Sequence, residues 1–165
     1  LGRIAYAGMQ WTEAVAHLRS AVQLAPRNAG YHNQLGDALA KYIDDVTVFR
    51  KPTVARQLRD EYIRAIELDP EMLDARESLL QFYVRAPGFV GGDLDKAREQ
   101  AREIARRDAA RGYKAYGDVD AADDRFDAAA REYRQALQLN PKYADAREAL
   151  DKLGERGSSR KPTHI

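Results

Sequence analysis

The sequence has no cysteine. That absence removes disulfides, thiolate zinc sites and cysteine nucleophiles together, and it leaves the compartment open, because a thiol-free chain is compatible with reducing and oxidising surroundings alike. An excess of either charge is also missing: 27 Lys and Arg stand against 26 Asp and Glu. Such a balance offers no broad basic face for a phosphate backbone, so nucleic acid is not an expected partner. No run approaches the roughly 20 apolar residues that span a bilayer, and no basic, apolar, small-residue order marks a leader peptide at the start. A membrane is not an expected partner either. Histidine is scarce, with His17, His32 and His164 far apart and without the i, i+4 spacing of a helical metal pair, so surface or packing roles are expected and no metal or other cofactor is. No Ser, His and acid set carries a nucleophile elbow, and no catalytic residues are assigned.

What is present favours helix. Hydrophobic residues make up 44% and charged residues 32% of 165 residues, with Ala, Arg, Glu and Leu prominent, a composition that is globular and helix-forming. The length suits one core or a short solenoid whose units pack only on their neighbours. Self-similarity decides between them. Ala21-Val22-Gln23-Leu24-Ala25-Pro26, Ala65-Ile66-Glu67-Leu68-Asp69-Pro70 and Ala136-Leu137-Gln138-Leu139-Asn140-Pro141 share the pattern A-x-x-L-x-P. Three residues before each alanine stands Leu18, Tyr62 or Tyr133, on the same helical face, where the small alanine lets a second helix come close. The proline disfavours helix in the residue before it and suits the first turn of the next, so each marks a helix-to-helix corner. Leu1-Gly2 and Tyr116-Gly117 lie 25 residues before Pro26 and Pro141, while Leu35-Gly36 lies 35 before Pro70. One pattern thus recurs with about ten residues inserted once.

These motifs resemble the tetratricopeptide repeat (TPR) family, whose unit of about 34 residues pairs a helix A with a helix B and closes on proline. The resemblance covers residues 1 to about 154, the expected repeat domain 1-154, with 155-165 as a flexible polar tail. It implies an all-α, right-handed solenoid of antiparallel hairpins: about four units, the first truncated, and a C-terminal capping helix. The first unit carries Leu1, Gly2, Trp11, Ala14, Leu18, Ala21 and Pro26, and the fourth carries Gly117, Phe126, Ala129, Tyr133, Ala136 and Pro141. The first lacks the start of its helix A, so an incomplete edge or an upstream continuation is expected. In the second, Leu58 replaces the usual alanine and residues 42-52 are extra. The third keeps Leu79, Tyr83, Ala97 and Ala101 but has Ile104 where a small residue is expected, and no closing proline. Helices are expected near 1-8, 11-24, 29-45, 53-68, 71-85, 93-107, 110-121, 125-139 and 142-154, the last with Ala146, Leu150 and Leu153 on one side and charges on the other.

Three further segments invite chemistry. Residues 86-93, Ala-Pro-Gly-Phe-Val-Gly-Gly-Asp, hold three glycines but no following Lys-Ser or Lys-Thr and no preceding strand, which argues against a phosphate loop. They read as a shaped turn in which Pro87 ends a helix, the glycines permit positive φ, Phe89 and Val90 tuck against the core, and Asp93 caps the next helix. A similar A-P-G-x-x-G-G turn occurs in a set of bacterial TPR proteins. Asp118, Asp120, Asp123, Asp124 and Asp127 form an acidic stretch, but it lacks the glycine and closing glutamate of a calcium loop. Solvated helix ends are expected, with Asp120 at a helix A position where the family usually has an aromatic. Residues 46-52 bring Val46, Val48 and Phe49 into a connection; it either folds back as packing or offers Phe49 to a partner or a second copy.

The resemblance implies a non-catalytic protein-interaction scaffold, no enzyme, that holds a peptide or helix of another protein in its concave groove. The matched helix A positions are Asn33, Gln34, Asp37 and Lys41, then Asp74, Glu77, Ser78 and Gln81, then Arg111, Lys114 and Asp118, a polar face of mixed sign that equally reads as merely solvated. Relatives that clamp a peptide C-terminal carboxylate use Lys, Asn and Arg there. Here Asn33 and Asp37, Ser78, Arg111 and Ala115 stand in those places, so that clamp is largely absent. The alternative is self-assembly into a homo-oligomer, with a homodimer formed through the truncated first repeat and Phe49. The location stays open, a soluble protein of either the bacterial cytoplasm or the periplasm being expected.

Overall fold

Eight α-helices and no strand make up the described residues of the computed structural model, which cover 2–159, with side chains described over 10–155. Leu1, His164 and the end of the expected tail at 160–165 lie outside them. The helices are α1 (Gly2–Leu24), α2 (Ala29–Tyr42), α3 (Lys51–Leu68), α4 (Leu73–Arg85), α5 (Leu94–Ala105), α6 (Ala109–Ala122), α7 (Phe126–Leu139) and α8 (Ala144–Ser159). The chain divides into two compact units, Leu1–Gly92 and Asp93–Ile165, the first holding α1 to α4 and the second α5 to α8.

In the first unit, α1 replaces the two expected helices at 1-8 and 11-24. The physical reason is the weakness of the stop signal: Gly8 alone costs about 1 kcal/mol against alanine, and Met9 and Gln10 supply neither a proline nor a side chain that caps a new helix. The corner after α1 is built as expected. The Asn28 side chain accepts the Tyr31 N–H at 3.1 Å and starts α2. Helix α2 packs on α3, and Leu35, Leu39, Leu58 and Tyr62 of the two helices are buried. It ends at Tyr42, three residues before the expected boundary. In the connection 43–50, Val46 is buried while Val48 is 68% and Phe49 90% exposed, so Val46 anchors the insertion and Val48 and Phe49 face water.

The turn after α4 differs from expectation in one respect. Val90 is buried, but Phe89 is 78% exposed. Gly88–Val90 is a single 3₁₀ turn, in which successive side chains point about 120° apart, so the two cannot both face inward. Gly91 sits at φ 119°, in the left-handed region that glycine occupies without strain. A Cβ on Gly92 would lie 1.7 Å from the Ala86 carbonyl oxygen, so nothing larger fits that bend. Asp93 accepts the N–H groups of Asp95 and Lys96 at 3.0 and 3.1 Å and caps α5 as expected.

In the second unit, α6 and α7 pair around Ala129, Tyr133 and Ala136, all buried. The corner between α5 and α6 has no proline. Asp108 accepts the Arg111 N–H at 2.9 Å to start α6, Ile104 is fully buried, and Gly112 lies so close to Ala105 that a Cβ there would sit 2.3 Å from the Ala105 Cα. A missing side chain takes the place of the missing proline. Among the acidic residues, Asp123, Asp124 and Asp127 are exposed, but two are not solvated ends: Asp118, whose side chain is 12% exposed and pairs with Lys114, and Asp120. Its side chain is 16% exposed and is held by Arg98 and Arg125, and burial pushes its carboxyl above the usual range despite Arg98. Helix α8 buries Ala146 and continues past Gly154 to Ser159, into the stretch expected as tail.

Candidate functional site

Two hairpins share a lock made of three residues. In α2–α3, a Cβ on Gly36 would lie 2.5 Å from the Tyr62 ring, so glycine is what lets the ring come this close to helix A. The Tyr62 hydroxyl then donates to Asp37 Oδ1 at 2.9 Å. In α6–α7, a Cβ on Gly117 would lie 2.4 Å from the Tyr133 ring, and the Tyr133 hydroxyl donates to Asp118 Oδ1, also at 2.9 Å. Both rings are buried at 3% exposure. Burial, reinforced by the adjacent carboxylates, pushes both hydroxyls far above the usual phenol range.

The surroundings of the two carboxylates differ. Asp118 Oδ2 also receives the Lys114 ammonium at 2.7 Å. Asp37 receives Ser78 Oγ from α4 at 3.4 Å and the Asn33 amide Nδ2 at 3.4 Å, while Asn33 Oδ1 is buried without a donor. Burial raises the Asp37 carboxyl above its ordinary value; the hydrogen bonds from Tyr62 and Ser78 pull it back, Asp74 raises it, and Lys41 lowers it from a distance.

The candidate residues therefore fall into two sets. In the first unit, Asn33, Asp37 and Ser78 touch, with Asp74 within electrostatic reach of Asp37. Gln34, Asp37 and Lys41 are exposed on α2, and Glu77 and Gln81 are half-buried on α4. In the second unit, Lys114 and Asp118 pair on α6, and Arg111 is half-buried one turn earlier. Sequence reasoning treated Tyr62 and Tyr133 as apolar packing residues and missed their hydroxyl bonds. The recurring Gly-Asp pairs at Gly36-Asp37 and Gly117-Asp118 were the available signal.

A second repeated device closes the corners. His32 Nε2 lies 3.1 Å from the Pro26 carbonyl, Arg76 NH2 donates to the Pro70 carbonyl at 3.1 Å, and Arg147 NH2 donates to the Pro141 carbonyl at 3.1 Å. Each partner stands six residues after its proline, and Gly112 holds the corresponding place at the corner that lacks one. His32 is buried, with Nδ1 2.6 Å from Glu61, whereas His17 is exposed. Among the described residues no three His, Asp or Glu converge as a metal set, and no described helix is long and apolar enough to cross a membrane.

No family model matches the sequence, and no curated protein matches it. Solved structures do. A thermophilic TPR protein of Thermus thermophilus is 18% identical, with a TM-score of 0.73 over 87% of this chain and 73% of that one. At that identity the likeness concerns the fold. The chain has an all-helical, TPR-type repeat fold.

Proposed function

We propose that this chain is a non-catalytic interaction scaffold that receives a peptide or helix of another protein on the face shared by α2 and α4. The observation that carries this reading is the contact of Asp37 with Ser78, which joins helix A residues of successive repeats into one continuous polar patch. The TPR-type fold supports protein binding in general. Affinity capture with crosslinking from the native source tests it: crosslinks should map to α2 and α4, and Ser78→Phe should abolish capture without loss of helicity. Capture that survives Ser78→Phe places the binding surface elsewhere.

A second reading is self-assembly, favoured by the 90% exposure of Phe49, since an aromatic ring of that exposure gains most from a partner surface. Sedimentation across a concentration range decides it. Association that disappears in Phe49→Ser supports the reading, and a strict monomer at high concentration removes it.

A further inference from the structure

Asp37 lacks what Asp118 has. Both carboxylates accept a tyrosine hydroxyl at 2.9 Å, both follow a glycine packed on that ring, and both have a polar residue one helical turn earlier. In the second unit that residue is Lys114, which neutralises Asp118 at 2.7 Å. In the first it is Asn33, whose Nδ2 comes only within 3.4 Å and whose Oδ1 is buried without a donor. Among the described residues no cation lies within ion-pair distance of Asp37; exposed Lys41 acts on it only at longer range, and Asp74 adds negative potential from α4.

We propose that Asp37, flanked by Asn33, Asp74 and Ser78, is a subsite for a basic side chain of the bound peptide, an arginine or lysine that takes the place Lys114 occupies internally in the second unit. This rests on the reading of the α2–α4 face as the binding surface. The chemistry is complementary at each atom. Asp37 Oδ2 is met only by the long Asn33 contact and is open to a charge-assisted N–H donor. Asn33, turned about its side chain, presents its orphaned oxygen to the same cation, which relieves an unsatisfied buried acceptor. Ser78 and Tyr62 hold Oδ1 in place, so the carboxylate is fixed before the ligand arrives. Burial already holds the Asp37 carboxyl above its ordinary range, and an incoming cation would reverse that by stabilising the ionised form. The second unit, carrying its own cation, recruits none.

The test is selection of a random linear peptide library displayed on phage against the full chain, followed by affinity measurements on the peptides recovered. Selected peptides are expected to share a Lys or Arg at one position. Asn33→Lys, which copies Lys114, should leave the thermal melt intact and lower affinity by about tenfold or more, the size of one charged hydrogen-bonded contact. Asp37→Asn and a peptide with Gln at the basic position should give the same loss, and combining either with Asn33→Lys should add little. Peptides that Ser78→Phe blocks but that share no basic residue, or that bind Asn33→Lys unchanged, overturn the subsite and leave the α2–α4 face standing. If no peptide is recovered, or if binding ignores Ser78→Phe, the face and the subsite fall together.

Discussion

The α2–α3 and α6–α7 hairpins use the same Gly-Asp-Tyr lock across connections of different length, 43–50 in one and 123–125 in the other. The geometry of the lock barely changes, with hydroxyl to carboxylate distances of 2.9 Å in both. Helix pairing here is therefore set by side chains and not by the loop. The energetics agree, since each doubling of a flexible loop costs only about 0.6 kcal/mol, less than one well-packed aromatic contributes by burial. What separates the hairpins is charge: one carboxylate is neutralised by its own helix, and the other is held by neutral donors only.

The largest test of this equivalence is at the glycines. Gly36→Ala and Gly117→Ala should each destabilise by about 1 to 3 kcal/mol, because the new methyl meets a buried ring that cannot retreat, and this outweighs the gain in helix propensity. Denaturant melts giving a large loss at one glycine only would end the equivalence. The next effect separates the carboxylates. Asp118→Asn leaves Lys114 unpaired on a largely buried face and should cost about 1 to 2 kcal/mol, whereas Asp37→Asn changes an exposed residue that has no described cation at ion-pair distance and should be close to neutral. Equal losses would show that Asp37 is neutralised in a way the contacts do not reveal.

Smaller effects follow from the tyrosines. Their hydroxyls ionise far above the usual value in the folded chain and at about pH 10 when unfolded. The unfolded state therefore releases its protons first, so their contribution is complete below about pH 10 and is lost as pH rises beyond it. Tyr62→Phe and Tyr133→Phe should each cost about 1 kcal/mol at neutral pH and flatten the alkaline fall in stability; a fall left unchanged by both would remove the lock from its cause. The smallest effect is at the corners. Arg147→Met should cost about 0.5 kcal/mol in thermal melts, and Arg76→Met more, because Arg76 is buried and Arg147 is exposed.

Much of the fold was legible because its signals are local and repeated. Pro26, Pro70 and Pro141 marked corners that the structure contains, and Ala65 and Ala136 marked contacts that it buries. Boundaries failed where a signal was weak or absent. Gly8 did not split α1, and Gly154 did not end α8. Phe89 was misplaced because hydrophobicity says that a residue prefers burial, whereas the turn decides which of two neighbours obtains it. The candidate site was legible as positions on α2, α4 and α6 but not as chemistry. That Asp37 meets Ser78 depends on how two repeats stack, and that Asn33 leaves an oxygen unanswered depends on rotamers, neither of which a residue type encodes.

The glycine of each lock also acts as a detent. Sliding helix A by one residue would bring Leu35 or Asp37 in front of the Tyr62 ring, and neither side chain has room where even a Cβ would lie 2.5 Å away. The α2–α3 hairpin thus has one axial setting and no neighbouring one to slip into. A load applied along these helices should be met by abrupt opening of the pair and not by gradual creep, which gives the hairpin a yield point fixed by one missing side chain.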